Sequence, residues 1–145
     1  MFGGGQFVAV ANTSSTGVAR VMRSPTGITW TDHQAPEQNA WNSVAYGNGV
    51  YVAVASTGTN RVMVSSDGAT WTAVASPDQN EWQSVAYGNG VFVAVASSGT
   101  NRIMVSPNGT SWTPKSYDSY AWRSVTYADG RFLAVATSQA VIITP

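Results

Sequence analysis

Three arginines, Arg20, Arg61 and Arg102, lie 41 residues apart, and two of them close the polar strings Gly58-Thr59-Asn60-Arg61 and Gly99-Thr100-Asn101-Arg102. A second pair of strings repeats at the same interval, Pro36-Glu37-Gln38-Asn39-Ala40-Trp41 and Pro77-Asp78-Gln79-Asn80-Glu81-Trp82. Amides and a guanidinium offer planar, bidentate donors for vicinal hydroxyls, and an indole offers an apolar plate for a pyranose ring. That is chemistry for holding a neutral sugar. Cleaving one needs an asymmetric cluster of acid, base and nucleophile. The chain has two glutamates, Glu37 and Glu81, one in each of these strings, and a repeat would hold such acids farther apart than the roughly 5–9.5 Å used in glycoside hydrolysis. His33 is the only histidine and there is no cysteine, so neither a metal site nor a thiolate nucleophile is expected, and no cofactor is implied.

Positioning these strings is the task of a longer repeat. Trp30, Trp71 and Trp112 recur at intervals of 41, as do Met22, Met63 and Met104, while Trp41, Trp82 and Trp122 follow at 41 and then 40. The copies span approximately 1–40, 41–81, 82–121 and 122–145 of a single domain. Within a copy the pattern has period two, which excludes helices. Strands are expected at Trp82 to Tyr87, Val91 to Ala96, Arg102 to Ser106 and from about Trp112, with Gly88-Asn89-Gly90 as a hairpin turn. Val and Ala alternate in Phe92-Val93-Ala94-Val95-Ala96, so both faces of the sheet can be buried, whereas a solvated sheet would carry polar residues on one. The expected fold is therefore all-β: a β-propeller built of four-stranded antiparallel blades of about 41 residues, with a solenoid or sandwich as the alternative.

Ser65-Ser66-Asp67-Gly68-Ala69-Thr70-Trp71 resembles the Asp-box of sialidase-type (BNR) propellers, one residue shorter than the usual form. The resemblance implies a hairpin between third and fourth strands, held by Ser65 and Asp67 with Gly68 at the turn and Trp71 packed beneath. Its counterparts carry Ser106, Asn108, Gly109 and Trp112, and Ser24, Thr26, Gly27 and Trp30, so the acid is absent from two of the three. A sialidase would further need three arginines on one carboxylate and a Tyr–Glu nucleophile. Arg20, Arg61 and Arg102 are instead repeat-equivalent, and a non-catalytic member is expected.

In such a blade the loop between second and third strands and the link to the next blade emerge on one face. Gln38, Asn39, Trp41, Asn60, Arg61, Gln79, Asn80, Trp82, Asn101, Arg102 and Trp122 then line shallow grooves there, and the function expected is lectin-like glycan recognition. The same residues also fit packing, with the tryptophans wedged between blades and the arginines on carbonyl oxygens of the next blade. The third link, Ser116-Tyr117-Asp118-Ser119-Tyr120-Ala121-Trp122, lacks the Gln-Asn pair. The other function class is a structural or assembly protein, such as a surface, fibre or virion component.

Charged residues make up 10% of the chain, seven basic against seven acidic, which supplies no stripe for nucleic acid. No apolar run reaches membrane-spanning length, so membrane insertion is not expected. The neutral, amide-rich composition suits an extracellular or virion surface. Phe2 aligns with Tyr46 and Pro145 with Pro107, which leaves about fourteen strands, or three and a half blades. A homodimer completing a seven- or eight-bladed ring is expected; an excerpt of a longer array and closure as four thin blades are the rivals.

Overall fold

The computed structural model describes residues 1–13, 19–116 and 119–143. Within them every regular element is a strand. Blade 1 consists of β1 (Phe2–Gly3), β2 (Gln6–Val10), β3 (Val21–Ser24) and β4 (Thr31–His33). Blade 2 follows as β5 (Trp41–Gly47), β6 (Val50–Ala55), β7 (Val62–Ser65) and β8 (Thr72–Val74), and blade 3 as β9 (Trp82–Gly88), β10 (Val91–Ala96), β11 (Ile103–Ser106) and β12 (Thr113–Lys115). Blade 4 has β13 (Trp122–Ala128), β14 (Arg131–Ala136) and β15 (Ala140–Ile143). Each blade is a sequential antiparallel meander. The described residues hold fifteen strands, one more than the sequence count, because the start of the chain forms the short β1.

The first hairpin of each blade turns where two successive residues take positive φ: Asn48 and Gly49, Asn89 and Gly90, Asp129 and Gly130, and Gly4 and Gly5. This is the twist that two-residue hairpin loops require, and it sets the register, pairing Tyr46 with Tyr51 and Tyr87 with Phe92. Gly88 has a different reason to be glycine. Its φ is not positive; a Cβ there would lie 2.1 Å from Cγ of Tyr127 in the next blade. Gly47 lies under Tyr87 and Gly3 under Tyr46 in the same way. A tyrosine ring from each of blades 2, 3 and 4 thus lies against the backbone of the blade before it.

Between blades, branched residues meet small ones. Val52, Val54 and Val62 of blade 2 pack on Phe92, Ala94, Ala96 and Met104 of blade 3, all fully buried. Val8 and Val21 of blade 1 meet Tyr51, Ala53, Ala55 and Met63 of blade 2, and Val93, Val95 and Ile103 of blade 3 meet Phe132 and Ala134 of blade 4. At each of the three interfaces, therefore, a branched face of one blade meets a face of alanine and an aromatic on the next, joined by methionine in blades 2 and 3. The inner strands are stitched as well: the Val85 N–H donates to Ser43 Oγ, and the Val125 N–H donates to Ser84 Oγ.

Candidate functional site

The polar strings do converge on one end of the blades, and there they bond to each other. Arg61, at the end of the β6–β7 loop, donates from Nη1 to the carbonyl oxygens of Gln79 at 2.8 Å and Asn80 at 2.9 Å, in the link to blade 3. Its Nε holds the Gly58 carbonyl of its own loop at 3.1 Å. Arg20 repeats the arrangement one blade earlier, reaching Gln38 Oε1 and the Asn39 carbonyl, and Arg102 repeats it one blade later, on the carbonyls of Gly99 and Ser119. Each guanidinium clamps its own blade to the strap leading into the next. Tyr117 and Asp118 of the third strap lie outside the described residues.

The asparagines complete the tie from the other side. Asn80, 3% exposed, donates from Nδ2 to the Asn101 carbonyl at 2.5 Å and accepts from the Thr100 N–H at 3.1 Å. Asn39, 4% exposed, does the same toward the Asn60 carbonyl. Their side chains press against Gly58 and Gly99, where a Cβ would come within 1.7 Å of the amide oxygen and where φ is +91° and +103°. Asn60 donates from its backbone and its side chain to the Glu37 carboxylate, and Asn101 donates to Asp78. Burial pushes the Glu37 carboxyl up, but the backbone and side-chain donors of Asn60, with Asn39, outweigh it and hold the group below the ordinary glutamate value. The repeat counterpart of Glu37 is Asp78, 41 residues on, while Glu81 occupies the place of Ala40 and bonds Ser97. Gln79 Nε2 donates to the Thr59 carbonyl.

The tryptophans turn no ring face to solvent. Trp41, Trp82 and Trp122 are at most 1% exposed and open the inner strands as wedges between blades. Trp41 Nε1 donates to the Glu37 carbonyl, whereas Trp82 Nε1 finds no partner among the described residues. Of the eleven residues expected to line ligand grooves, the structure brings all to this end, yet it buries the three indoles and commits the amides and guanidinium groups to internal bonds. A signal was available in the sequence: glycines three residues before Arg61 and Arg102 mark a close approach by the strap.

At the opposite end the Ser-Asp turns close the third hairpins. Ser65 Oγ accepts from the N–H groups of Asp67 and Gly68; Asp67 Oδ1 accepts from Ala69 and Thr70, each at 2.8 Å, and Trp71 Nε1 donates to the Gly68 carbonyl. The backbone N–H of Thr70, with that of Ala69, lowers the Asp67 pKa from 3.8 to about 2. Asn108 makes the same two bonds, from Thr110 and Ser111, with Ser106 on Gly109 and Trp112 on the Gly109 carbonyl. Ser24 bonds Gly27 and Trp30 bonds the Gly27 carbonyl. Between blades 2 and 3 this end has a groove of about 320 Å³ lined by Ser65, Ser66, Thr70, Thr72, Asn108 and Thr110 beneath Val50 and Val64. His33 lies on β4, and the described residues contain no cluster of three or more potential metal ligands.

The family model of the DUF6242 beta propeller domain matches residues 25–144. The chain belongs to this family. A search of curated proteins gave no significant match. Among solved structures, virginiamycin B lyase from Staphylococcus aureus superimposes with a TM-score of 0.73 at 10% identity, over 86% of this chain and 45% of the lyase. YCF48 bound to D1 peptide gives 0.66 at 16% identity, over 94% of this chain and 45% of YCF48. The computationally designed Ika4 protein gives 0.68 at 18% identity, over 98% and 86%. At these identities the likeness is one of fold. The propeller spans about half the length of the lyase and of YCF48.

Proposed function

We propose that this propeller is a non-catalytic structural module, a rigid scaffold for assembly, and that its polar loop end is a set of ties between blades. The observation that carries this reading is the internal use of the polar groups: Asn39, Asn60, Asn80, Asn101 and the three repeat-equivalent arginines all donate to the protein itself. Repeat-equivalent residues at one radius supply no asymmetric acid, base and nucleophile, and that supports a role without catalysis. The Ser65–Asp67 turn, with its Asn108 counterpart, supports kinship to the Asp-box (BNR) propellers within the wider β-propeller group.

A glycan array read together with a thermal melt tests the proposal. The scaffold reading expects no glycan signal from the native chain, no turnover of fluorogenic glycosides, and a lower Tm for Asn60→Ala. Glycan binding abolished by Asn60→Ala at unchanged Tm would instead establish a lectin with its site on the loop end. Binding that survives Asn60→Ala and falls with Thr72→Ala would move the site to the hydroxyl-lined groove between blades 2 and 3.

A further inference from the structure

The groove between blades 2 and 3 stands where a tie joins blades 1 and 2. At that earlier junction the chain fills the place with its own side chains: Gln6 Nε2 and Arg23 Nη1 both donate to the Asp67 backbone carbonyl, at 2.6 and 3.2 Å. Strand register and repeat spacing put Val50 where blade 1 has Gln6, Val64 where it has Arg23, and Asn108 where blade 2 has Asp67. The two turns are otherwise alike, since Asn108 Oδ1 accepts the same pair of backbone bonds as Asp67 Oδ1. The seat beneath the turn glycine is kept as well. A Cβ on Gly68 would meet Val8 and the Gln6 amide at 2.9 Å, and one on Gly109 would meet Val52 at 2.6 Å and Val64 at 3.3 Å. Valine has no donor to offer, and among the described residues no other group donates to the Asn108 carbonyl. What remains is an opening of about 320 Å³ with two half-buried valines at its side and the exposed Ser66, Thr70, Thr72 and Thr110 around it.

We infer that this groove is a docking site for an arginine side chain of a partner protein, which supplies from outside the donors that Gln6 and Arg23 supply from within at the preceding junction. This rests on the scaffold reading and names the chemistry by which the scaffold holds what it assembles. The aliphatic stem lies along Val50 and Val64, and the guanidinium faces the Asn108 carbonyl and the hydroxyl oxygens. A planar group with five donors suits several acceptors at fixed positions, whereas an ammonium is a compact and more strongly hydrated point charge. The same pairing of guanidinium with backbone carbonyls recurs at Arg20, Arg61 and Arg102 on the opposite end. No residue lining the groove is charged, so nothing there repels a cation. Blades 2 and 3 each have both neighbouring blades within the described residues, so the groove is an internal feature of the array and a further blade would not cover it.

The probe is N-acetylarginine methylamide, titrated to about 20 mM against the isotope-labelled chain while amide chemical shifts are followed. One anchored side chain is expected to bind with a Kd of about 1–20 mM, moving the amides of Ser66, Thr70, Thr72 and Thr110 and leaving Thr100 and Asn101 at the loop end in place. The norleucine analogue keeps the stem and lacks the donors, and should bind about tenfold more weakly or not at all. Val50→Gln combined with Val64→Arg builds the blade 1 tie into the groove and should abolish the shifts without lowering Tm. Thr110→Val, which removes one hydroxyl and keeps the backbone bond to Asn108, should weaken binding about threefold and carries the test if the double variant folds poorly. Absence of shifts at the highest concentration, equal binding of the norleucine analogue, or shifts that persist in the folded double variant would overturn the inference. So would a glycan that displaces the probe from the groove. Glycan binding at the loop end with the probe still in the groove would sink the scaffold reading alone, and a silent glycan array with a silent probe would sink the docking site alone.

Discussion

Asn80→Ala separates a tie from a ligand site more cleanly than any other single change. The Asn80 side chain is 3% exposed, donates to the Asn101 carbonyl and accepts from the Thr100 N–H. Truncation leaves one backbone acceptor and one backbone donor without partners beneath the strap, each costing about 1–3 kcal/mol when buried. Both partners are only partly buried, so water recovers some of this and the expected loss is about 2–4 kcal/mol. The bond from Arg61 to the Asn80 backbone carbonyl survives, which keeps the loss from growing further. For a chain of this size a loss of that order lowers Tm by roughly 5–15 °C. Asn80→Asp should be no better, since a carboxylate cannot donate to the Asn101 carbonyl and would face Asp78, which already bonds the Asn101 amide. Thermal and urea melts followed by tryptophan fluorescence give the answer, with an unchanged m-value confirming that the folded state is otherwise intact. A Tm within about a degree of the native chain would show that Asn80 is not bonded as described and is free for something else.

Three further outcomes follow from the same geometry. Gly88→Ala puts a methyl 2.1 Å from the Tyr127 ring and should cost about 1–3 kcal/mol or more, whereas Gly90→Ala, with φ of +80° and nothing within 4 Å, meets only backbone strain of about 1 kcal/mol. Adding Tyr127→Ala should recover part of the Gly88→Ala loss in a double-mutant cycle, and full additivity would contradict the stacking. Asp67 has a folded pKa of about 2 against 3.8, so it favours the folded state above the higher value, and that contribution disappears as pH falls from about 4 through 2. Asp67→Asn should flatten this part of the pH dependence in acid urea melts while retaining the turn, because Asn108 already makes the equivalent bonds. Trp41→Phe should cost about 1 kcal/mol more than Trp82→Phe, since only the Trp41 indole has a carbonyl partner; equal losses would place an unseen acceptor beside Trp82.

The blade architecture was legible because its determinants are local and repeated. Period-two alternation, an Asn-Gly turn with both residues at positive φ and a 41-residue interval need no tertiary information. The loop end was legible as a place but not as a purpose. Composition cannot distinguish an asparagine that waits for a hydroxyl from one that caps a neighbouring carbonyl, because the donors are identical and only their distances differ. Gly88 misled for the same reason: it adjoins a turn, so turn chemistry explains it in sequence, while the Tyr127 ring that requires it comes from the next blade. Met22, Met63 and Met104 recur at one repeat position, and what the sequence could not show is that Met22 is 39% exposed while the other two are fully buried.

Low charge and dense internal bonding are two sides of one constraint. Blades 2 and 3 bury both faces of their central strands, so polar residues gather toward the rims, and each rim must satisfy the straps and turns that join successive blades. An asparagine there satisfies one donor and one acceptor at once, an arginine spans several carbonyls, and the acids present, Glu37 and Asp78, are held by amide donors without an opposite charge. The arginine position illustrates the rule by its exception. Arg20, Arg61 and Arg102 each reach a strap leading to a following blade, and in blade 4 the corresponding position before β15 is Gln139, with no strap after it among the described residues. The apolar positions follow the same economy, with branched residues on the face toward the following blade and alanine with an aromatic on the face that receives them at each of the three interfaces.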